Sequence, residues 1–207
     1  MTEGQRAYIK SISDPNPDND PRIDIYIPVF ADGELIWDGT RRKHENQHIR
    51  LDHIDVKDKT ILDMGCNTGY IDFRLAEKGA KHITAIDFKP ELIKICMWIW
   101  ALEKHYNTID FICEDKYEWA KNCNDTFDIG LNLSNMGYEH TINDLKTYGH
   151  LAKTWYIEPT NHLAWNEERT KEQIKQYGLD ELSQFGDVEF LTHTDYQDRG
   201  LFKLVMR

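Results

Sequence analysis

The chain has 207 residues, 40% of them hydrophobic and 29% charged, a length and mix that suit one soluble domain with a sizeable core. Its 25 basic residues stand against 36 acidic ones, and the net charge of −11 disfavours a nucleic-acid binder held by counterion release. The longest apolar run, Ile95 to Leu102, is far too short for a membrane span, and no apolar stretch follows the charges of Met1 to Arg6 as a secretory signal requires. Cys66, Cys96, Cys113 and Cys123 form no C-x-x-C pair, so free thiols in a reducing, cytoplasmic setting are expected.

The first 20 or so residues are polar and carry Pro15, Pro17 and Pro21 among Asp and Asn, which predicts a loop or a loosely tied arm. Ile23, Ile25, Ile27 and Val29 alternate within Arg22 to Phe30 and predict a short half-buried strand. Thr40 to Ile54 lacks Gly and Pro, and the placing of Ile49, His53 and Ile54 predicts a polar-faced helix. From residue 60 onward strands alternate with helices. Strands are expected at Thr60 to Met64, His82 to Ile86, Thr108 to Cys113, Phe127 to Leu133 and Thr154 to Ile157. Helices are expected at Tyr70 to Lys78, Pro90 to Lys104, Tyr117 to Asn122 and Ile142 to Ala152. A polar helix near Glu167 to Tyr177 then leads to Val188 to Thr192, a turn at Asp198-Arg199-Gly200, and Leu201 to Met206. Right-handed βαβ units built this way give an α/β fold with a doubly wound, mostly parallel seven-stranded sheet and an antiparallel C-terminal hairpin. Residues 1–55 are expected to form an N-terminal extension, able to serve as a lid, on a domain spanning 56–207.

The sharpest local feature is Ile61-Leu62-Asp63-Met64-Gly65-Cys66-Asn67-Thr68-Gly69-Tyr70, two glycines spaced by four between a strand and a helix. Such a turn brings backbone close to a ligand and aims helix N-terminal N–H groups at it. Asp87 closes the next strand, where an acidic side chain reaches ribose hydroxyls. Asn67 replaces the middle glycine of the dinucleotide fingerprint, which argues against a pyrophosphate held close to the backbone.

The Asp63-x-Gly65-x-x-x-Gly69 loop, Asp87, Glu114-Asp115 and Phe127-Asp128-Ile129 together resemble the class I S-adenosylmethionine-dependent methyltransferases, with the likeness covering about residues 55–160. The resemblance implies a Rossmann-like fold and S-adenosylmethionine as cofactor. It implies that Gly65, Cys66, Asn67 and Gly69 wrap the methionine part, with Asp63 facing its amino group directly or through water. It places Asp87 on the ribose, Phe88 against the adenine, Asp115 as acceptor from the adenine amino group and the Lys116 N–H near an adenine ring nitrogen, with Leu133 among the lining. For Cys66 simple packing is an equal alternative.

Asn132 to His140 follows the fourth of these strands, at the edge where such sheets bind ligands. Methyl transfer needs in-line alignment, and a base only when the acceptor must lose a proton. His140 is the first candidate base, with Glu139, Glu158 and His162 behind it. Each of these could equally be a solvated or helix-capping polar group. The Asn/Asp-Pro-Pro-aromatic signature of base methylases is absent after that strand, and the polar run Glu158 to His162 suggests a small polar acceptor. Trp37 and Trp165 are candidates for covering a pocket.

His44-Glu45-Asn46-Gln47-His48 matches H-E-x-x-H, which on a helix sets two imidazoles on one face for zinc. Its basic neighbours and the lack of a third ligand favour a solvated helix, with a lid contacting the methyl acceptor as the alternative, so no resident metal is expected. The reading is a methyltransferase acting on an O or N nucleophile of a small molecule, with no membrane partner and an undetermined oligomeric state. The alternatives are an RNA (tRNA) methyltransferase using Arg41-Arg42-Lys43 and a non-catalytic cofactor- or partner-binding protein.

Overall fold

Ile9 and Ser13 lie on the inner side of a helix that begins the chain, and Tyr8 packs edge-on against Trp98 at 5.4 Å. The computed structural model describes residues 1–13, 25–40, 43–102, 108–134, 137–160, 170–195 and 197–207. The opening helix, α1 (Glu3–Ser13), replaces the loop expected there; Ile9 is fully buried and repays its ordering. Pro15, Pro17 and Pro21 lie outside the described residues.

The alternation of Ile25, Ile27 and Val29 is real, since all three are buried, but a ladder forms only over β1 (Val29–Ala31). It pairs antiparallel with β2 (Glu34–Trp37), a strand not expected from the sequence. Asp32 and Gly33 make the turn at φ 54° and 73°, the left-handed pair that a two-residue hairpin needs. The helix expected over Thr40 to Ile54 is broken. A 3₁₀ turn covers His44–Asn46, and α2 (His48–Leu51) follows after Gln47. The two histidines of H-E-x-x-H therefore do not share one helix: His44 Nδ1 is 2.9 Å from the Tyr70 hydroxyl and His48 Nδ1 is 2.9 Å from the Glu45 carbonyl.

The remaining elements are β3 (Thr60–Met64), α3 (Tyr70–Glu77), β4 (His82–Asp87), α4 (Pro90–Leu102), β5 (Ile109–Cys113), α5 (Lys116–Asn122), β6 (Phe127–Leu133), α6 (Tyr138–Tyr148), β7 (Ala152–Glu158), α7 (Lys171–Leu182), β8 (Gly186–His193) and β9 (Gly200–Met206). All seven expected strands form. The helix expected at Ile142 to Ala152 starts four residues sooner, and Ala152 joins β7 instead. Residues 161–169 lie outside the described residues, and the helix expected from Glu167 is α7, displaced toward Leu182. Thr170 and Gln173 form a reciprocal capping box at its start.

The seven strands run in the order β5-β4-β3-β6-β7-β9-β8, parallel from β5 to β7, with β9 antiparallel to both its neighbours. The direction of winding reverses between β3 and β6, which opens a crevice at their carboxyl ends. Strand alternation divides the core in two. Ile61, Ile83, Ile129 and Leu131 pack with α3, α4 and the N-terminal segment, while Leu62, Ile86, Trp155 and Ile157 pack with α5, α6 and α7. At the amino edge of the sheet, Asp128 Oδ2 accepts from the Thr60 N–H and hydroxyl, both at 3.1 Å, and Lys153 Nζ lies 3.1 Å from its Oδ1. Those donors hold the Asp128 carboxyl down at about 2.

Gly130 on β6 stands opposite Trp155 on β7, whose fully buried indole N–H donates to the Gly149 carbonyl at 2.8 Å. A Cβ at Gly130 would lie 2.5 Å from the indole ring. Gly130→Ala is therefore expected to destabilise by about 1–3 kcal/mol through overpacking. A lowered urea midpoint with unchanged slope would show it, and an unaltered midpoint would mean that the ring can move aside.

Candidate active site

The crevice at the carboxyl edge is built on the β3–α3 turn. Gly65 turns at φ 115°, and Gly65 N–H and Cys66 N–H both donate to the Ile86 carbonyl, at 2.9 and 3.0 Å. Asn67 takes φ 53°, a left-handed conformation that Asn tolerates better than most side chains, so its replacement of glycine costs the turn little. Its N–H donates to Asp87 Oδ2 at 3.1 Å, and Lys89 N–H donates to Asp87 Oδ1 at 3.0 Å. Burial pushes the Asp87 carboxyl above its ordinary value, and those two N–H groups partly offset it.

A cleft of about 430 Å³ lies over this turn. Gly65, Asn67, Asp87, Phe88, Asp115, Lys116 and His140 line it, which brings together seven of the fourteen residues selected from sequence. Phe88 is 63% exposed, a bare aromatic face able to carry a flat ring. Asp115 spends Oδ1 on capping α5, accepting from Tyr117 N–H at 2.9 Å and Glu118 N–H at 3.2 Å, so Oδ2 is the oxygen left for a ligand. Lys116 heads α5, where its N–H has no carbonyl four residues back. Its side chain turns away, and Nζ reaches Asp144 Oδ2 at 2.7 Å. These groups fit an adenosine: an apolar face, a carboxylate beside the glycine turn, and a donor and acceptor at the far end.

Four of the expected cofactor residues do not line the cleft. Gly69, at φ 75°, turns toward Phe111, and a Cβ there would lie 2.9 Å from that ring, so its part is to let α3 pack. Cys66 is buried beneath the turn; its thiol and that of Cys96 both point at the Asn67 carbonyl, at 3.8 and 3.4 Å, which is the packing alternative. Leu133 is buried at the end of β6. Asp63 is also buried, on the face covered by α3, where it meets Asp72. Burial pushes Asp63 up to about 7, with the neighbouring Asp87 adding to the rise, while Asp72 as a hydrogen-bond partner and Arg50 oppose it. Asp72 rises well above the carboxylate range, chiefly through burial and then the charge of Asp63.

The opposite wall is not formed as expected. Glu158 is fully buried and meets Arg50 from α2, itself 2% exposed, at 3.6 Å. Arg50 Nη1 also donates to Ser134 Oγ at 3.3 Å, and Ser134 donates to Glu158 Oε2 at 2.8 Å. The Thr194 hydroxyl donates to Glu158 Oε1, and Arg50 Nη2 donates to Gln47 Oε1. Glu158 therefore holds this cluster and does not reach the cleft; Ser134, which sequence reasoning missed, lines it instead. Glu139 is exposed outside the cleft lining, while His140 on the first turn of α6 faces in. His162 and Trp165 lie outside the described residues. Trp37 does not cover the cleft, because its indole N–H is bound to the Ile25 carbonyl at 2.9 Å. Tyr26 and Tyr117 also line the cleft unforeseen. Tyr26 was findable as the residue between buried Ile25 and Ile27, and so on the opposite side of the chain. Of Arg41-Arg42-Lys43 only Lys43 is described, with Nζ 2.9 Å from the Gly39 carbonyl. Among the described residues no three His, Cys, Asp or Glu side chains gather as a metal site, and no helix is long and apolar enough to cross a membrane.

Residues 61–153 match the family model described as a methyltransferase domain. A ubiquinone biosynthesis O-methyltransferase of Xylella fastidiosa is 43% identical over 56 residues, 25% of this chain and 22% of that protein. A tRNA U34 carboxymethyltransferase of Nautilia profundicola is 38% identical over 58 residues, 28% of this chain and 19% of that protein. The chain thus spans only about a fifth of the length of these curated relatives. Among solved structures, M. capricolum TrmK in complex with S-adenosylhomocysteine superposes with a TM-score of 0.56 at 14% identity, covering 77% of this chain and 67% of that one. A structure of WbdD, a bifunctional kinase-methyltransferase, gives 0.61 at 20% identity over 90% of this chain and 40% of that one. At these identities the likeness is one of fold.

The two buried acids set a sign for stability. Their folded-state values exceed the unfolded ones, so the native chain binds more protons and their contribution falls as pH rises from about 4, through about 7 for Asp63. Asp72→Asn is expected to raise Tm, by an amount that grows as pH rises from about 4. A gain independent of pH would show that the pair does not titrate there.

Proposed function

We propose that this chain, a member of the class I S-adenosylmethionine-dependent methyltransferase family through its methyltransferase domain at residues 61–153, transfers a methyl group to an O or N nucleophile of a small polar molecule. The observation that carries the reading is one cleft with an adenosine-suited side, Asp87, Phe88, Asp115 and Lys116, facing a polar side, Ser134 and His140. S-adenosylmethionine supplies an electrophilic methyl on a sulfonium. The chain's own residues then bind, orient and remove a proton.

Asp87 takes the ribose hydroxyls on carboxylate oxygens already steadied by the Asn67 and Lys89 N–H groups. Phe88 lies along the adenine. Asp115 Oδ2 accepts from the adenine amino group and Lys116 N–H donates to a ring nitrogen. Ser134 positions the acceptor, its hydroxyl fixed by Glu158 and Arg50. His140, exposed at the rim of the cleft, accepts the nucleophile's proton as the new bond forms. Holding nucleophile and methyl in line supplies much of the acceleration. Tyr26 lines the cleft, and Arg50 stands behind this wall on Glu158 and Ser134.

Asp87→Ala is expected to weaken S-adenosylhomocysteine binding by about 1.5–3 kcal/mol in calorimetric titration, through loss of charged hydrogen bonds. Unchanged affinity in a folded variant would remove Asp87 from the site. His140→Ala should retain that affinity and lose about 10²–10⁴-fold in turnover, followed as S-adenosylhomocysteine release with a panel of phenols, hydroxy acids and amines. Full activity of the variant would remove His140 as base.

A further inference from the structure

Asp115 and Lys116 stand at the very start of α5, and a helix this short is held in place by its neighbours. Of its seven residues only Ala120 is buried, and Tyr117 and Trp119 are partly so. The polar contacts on its inner side are denser. The Asp144 carboxyl, fully buried on α6, accepts from Lys116 Nζ at 2.7 Å, from the Tyr117 hydroxyl at 2.6 Å and from Asn132 Nδ2 on β6 at 3.0 Å. Lys116 Nζ also lies 5.2 and 5.6 Å from the centres of the Tyr117 and Tyr148 rings. Successive side chains leave a helix about 100° apart around its axis. When two of them meet on one carboxyl group, they fix the rotation of α5 as well as its distance from α6; one contact alone would leave it free to turn. That rotation aims the Lys116 N–H and sets where Asp115 Oδ2 stands. A buried ion pair adds little stability over apolar packing, so what Asp144 supplies is alignment. It also lies one turn after His140 on the same face of α6, which ties the adenine end of the cleft to the helix carrying the candidate base.

We propose that Asp144 is a positioning residue for base recognition: without touching the cofactor, it holds the first turn of α5 at the rotation in which Asp115 and the Lys116 N–H meet the purine edge. The inference rests on the adenosine reading of the cleft and extends it to a residue outside the lining. Adenine offers an amino N–H to Asp115 and a bare ring nitrogen to Lys116. Hypoxanthine offers the reverse, a carbonyl oxygen and a ring N–H. A correctly turned α5 rejects hypoxanthine because acceptor would face acceptor and donor would face donor. An α5 released from Asp144 loses that rejection together with part of its affinity for adenine.

Calorimetric titration of the full chain with two probes tests this. One is S-adenosylhomocysteine, and the other is S-inosylhomocysteine, the same molecule with hypoxanthine in place of adenine. The ratio of their Kd values reads the discrimination. The native protein is expected to prefer S-adenosylhomocysteine by roughly 100-fold or more. Asp144→Leu keeps the branched shape and removes every acceptor; it should lower the ratio about tenfold, chiefly by weakening S-adenosylhomocysteine. A general loss of stability weakens both probes alike and cancels in the ratio. A merely structural Asp144 therefore leaves the native ratio in place, and that result would overturn the proposal. If Asp144→Leu does not fold, Asp144→Asn decides, since it keeps the volume and gives up the ion pair with Lys116. Its ratio should fall several-fold, and a native ratio there overturns the proposal equally. Native protein that binds both probes alike would instead overturn the adenine roles of Asp115 and Lys116. Native protein that binds neither would overturn the cofactor reading, and this inference falls with either.

Discussion

The Ile86 carbonyl is the constraint on which the carboxyl edge of the sheet depends. It accepts from two successive N–H groups, those of Gly65 and Cys66, and so ties the turn after β3 to the end of β4. With those bonds made, the chain leaves the sheet plane at once, Asn67 is forced into its left-handed conformation, and its N–H falls on Asp87. The helix then begins at Gly69, with Phe111 filling the space a side chain would need. The turn and Asp87 take their place from this junction, while Asp115 and Lys116 follow β5, where the Glu114 N–H donates to the Asp87 carbonyl at 3.2 Å.

The acceptor side has a different origin. It is held by a buried ion pair, Arg50 with Glu158, reinforced by Ser134 and Thr194. Such a pair adds little net stability over an apolar equivalent, but removing one partner leaves an uncompensated charge in the interior. Its evident effect is geometric: it fastens the N-terminal segment to the ends of β6 and β7. Ile9, Ile25, Val29, Ile54 and Val56 share one core cluster with Ile61 and Ile83, so the described parts of that segment share a core with the sheet.

What could be read in the sequence follows from how local each cause is. The strands were legible because burial on both faces writes them as short Ile, Leu and Val runs between turn residues. The adenosine-facing residues were legible because a tight strand–turn–helix junction fixes its own spacing. The helix α1 was missed because Ile9 and Ser13 are all that it buries, too sparse a stripe to announce itself. The hairpin of β1 and β2 has one local sign in the sequence, the Asp32-Gly33 pair. The acceptor wall was not legible, since Arg50, Ser134, Glu158 and Thr194 meet only through tertiary packing. Asp72 was overlooked for a related reason: an acid in the first turn of a helix usually faces solvent and favours the helix dipole, and only the structure shows it turned inward.

The clip at the opposite edge gives the sheet a chemical direction. Asp128, bound by Thr60 and Lys153, stays ionised until the solution is strongly acidic, whereas Asp63, Asp72 and Asp87 at the other end are held toward the neutral acid form. One residue type thus titrates on opposite sides of its ordinary value across the length of a single strand. Mild acid would discharge Asp87 in the cleft first and leave the splice joining β3, β6 and β7 intact, so the molecule would let go of what it carries well before it lets go of its own architecture.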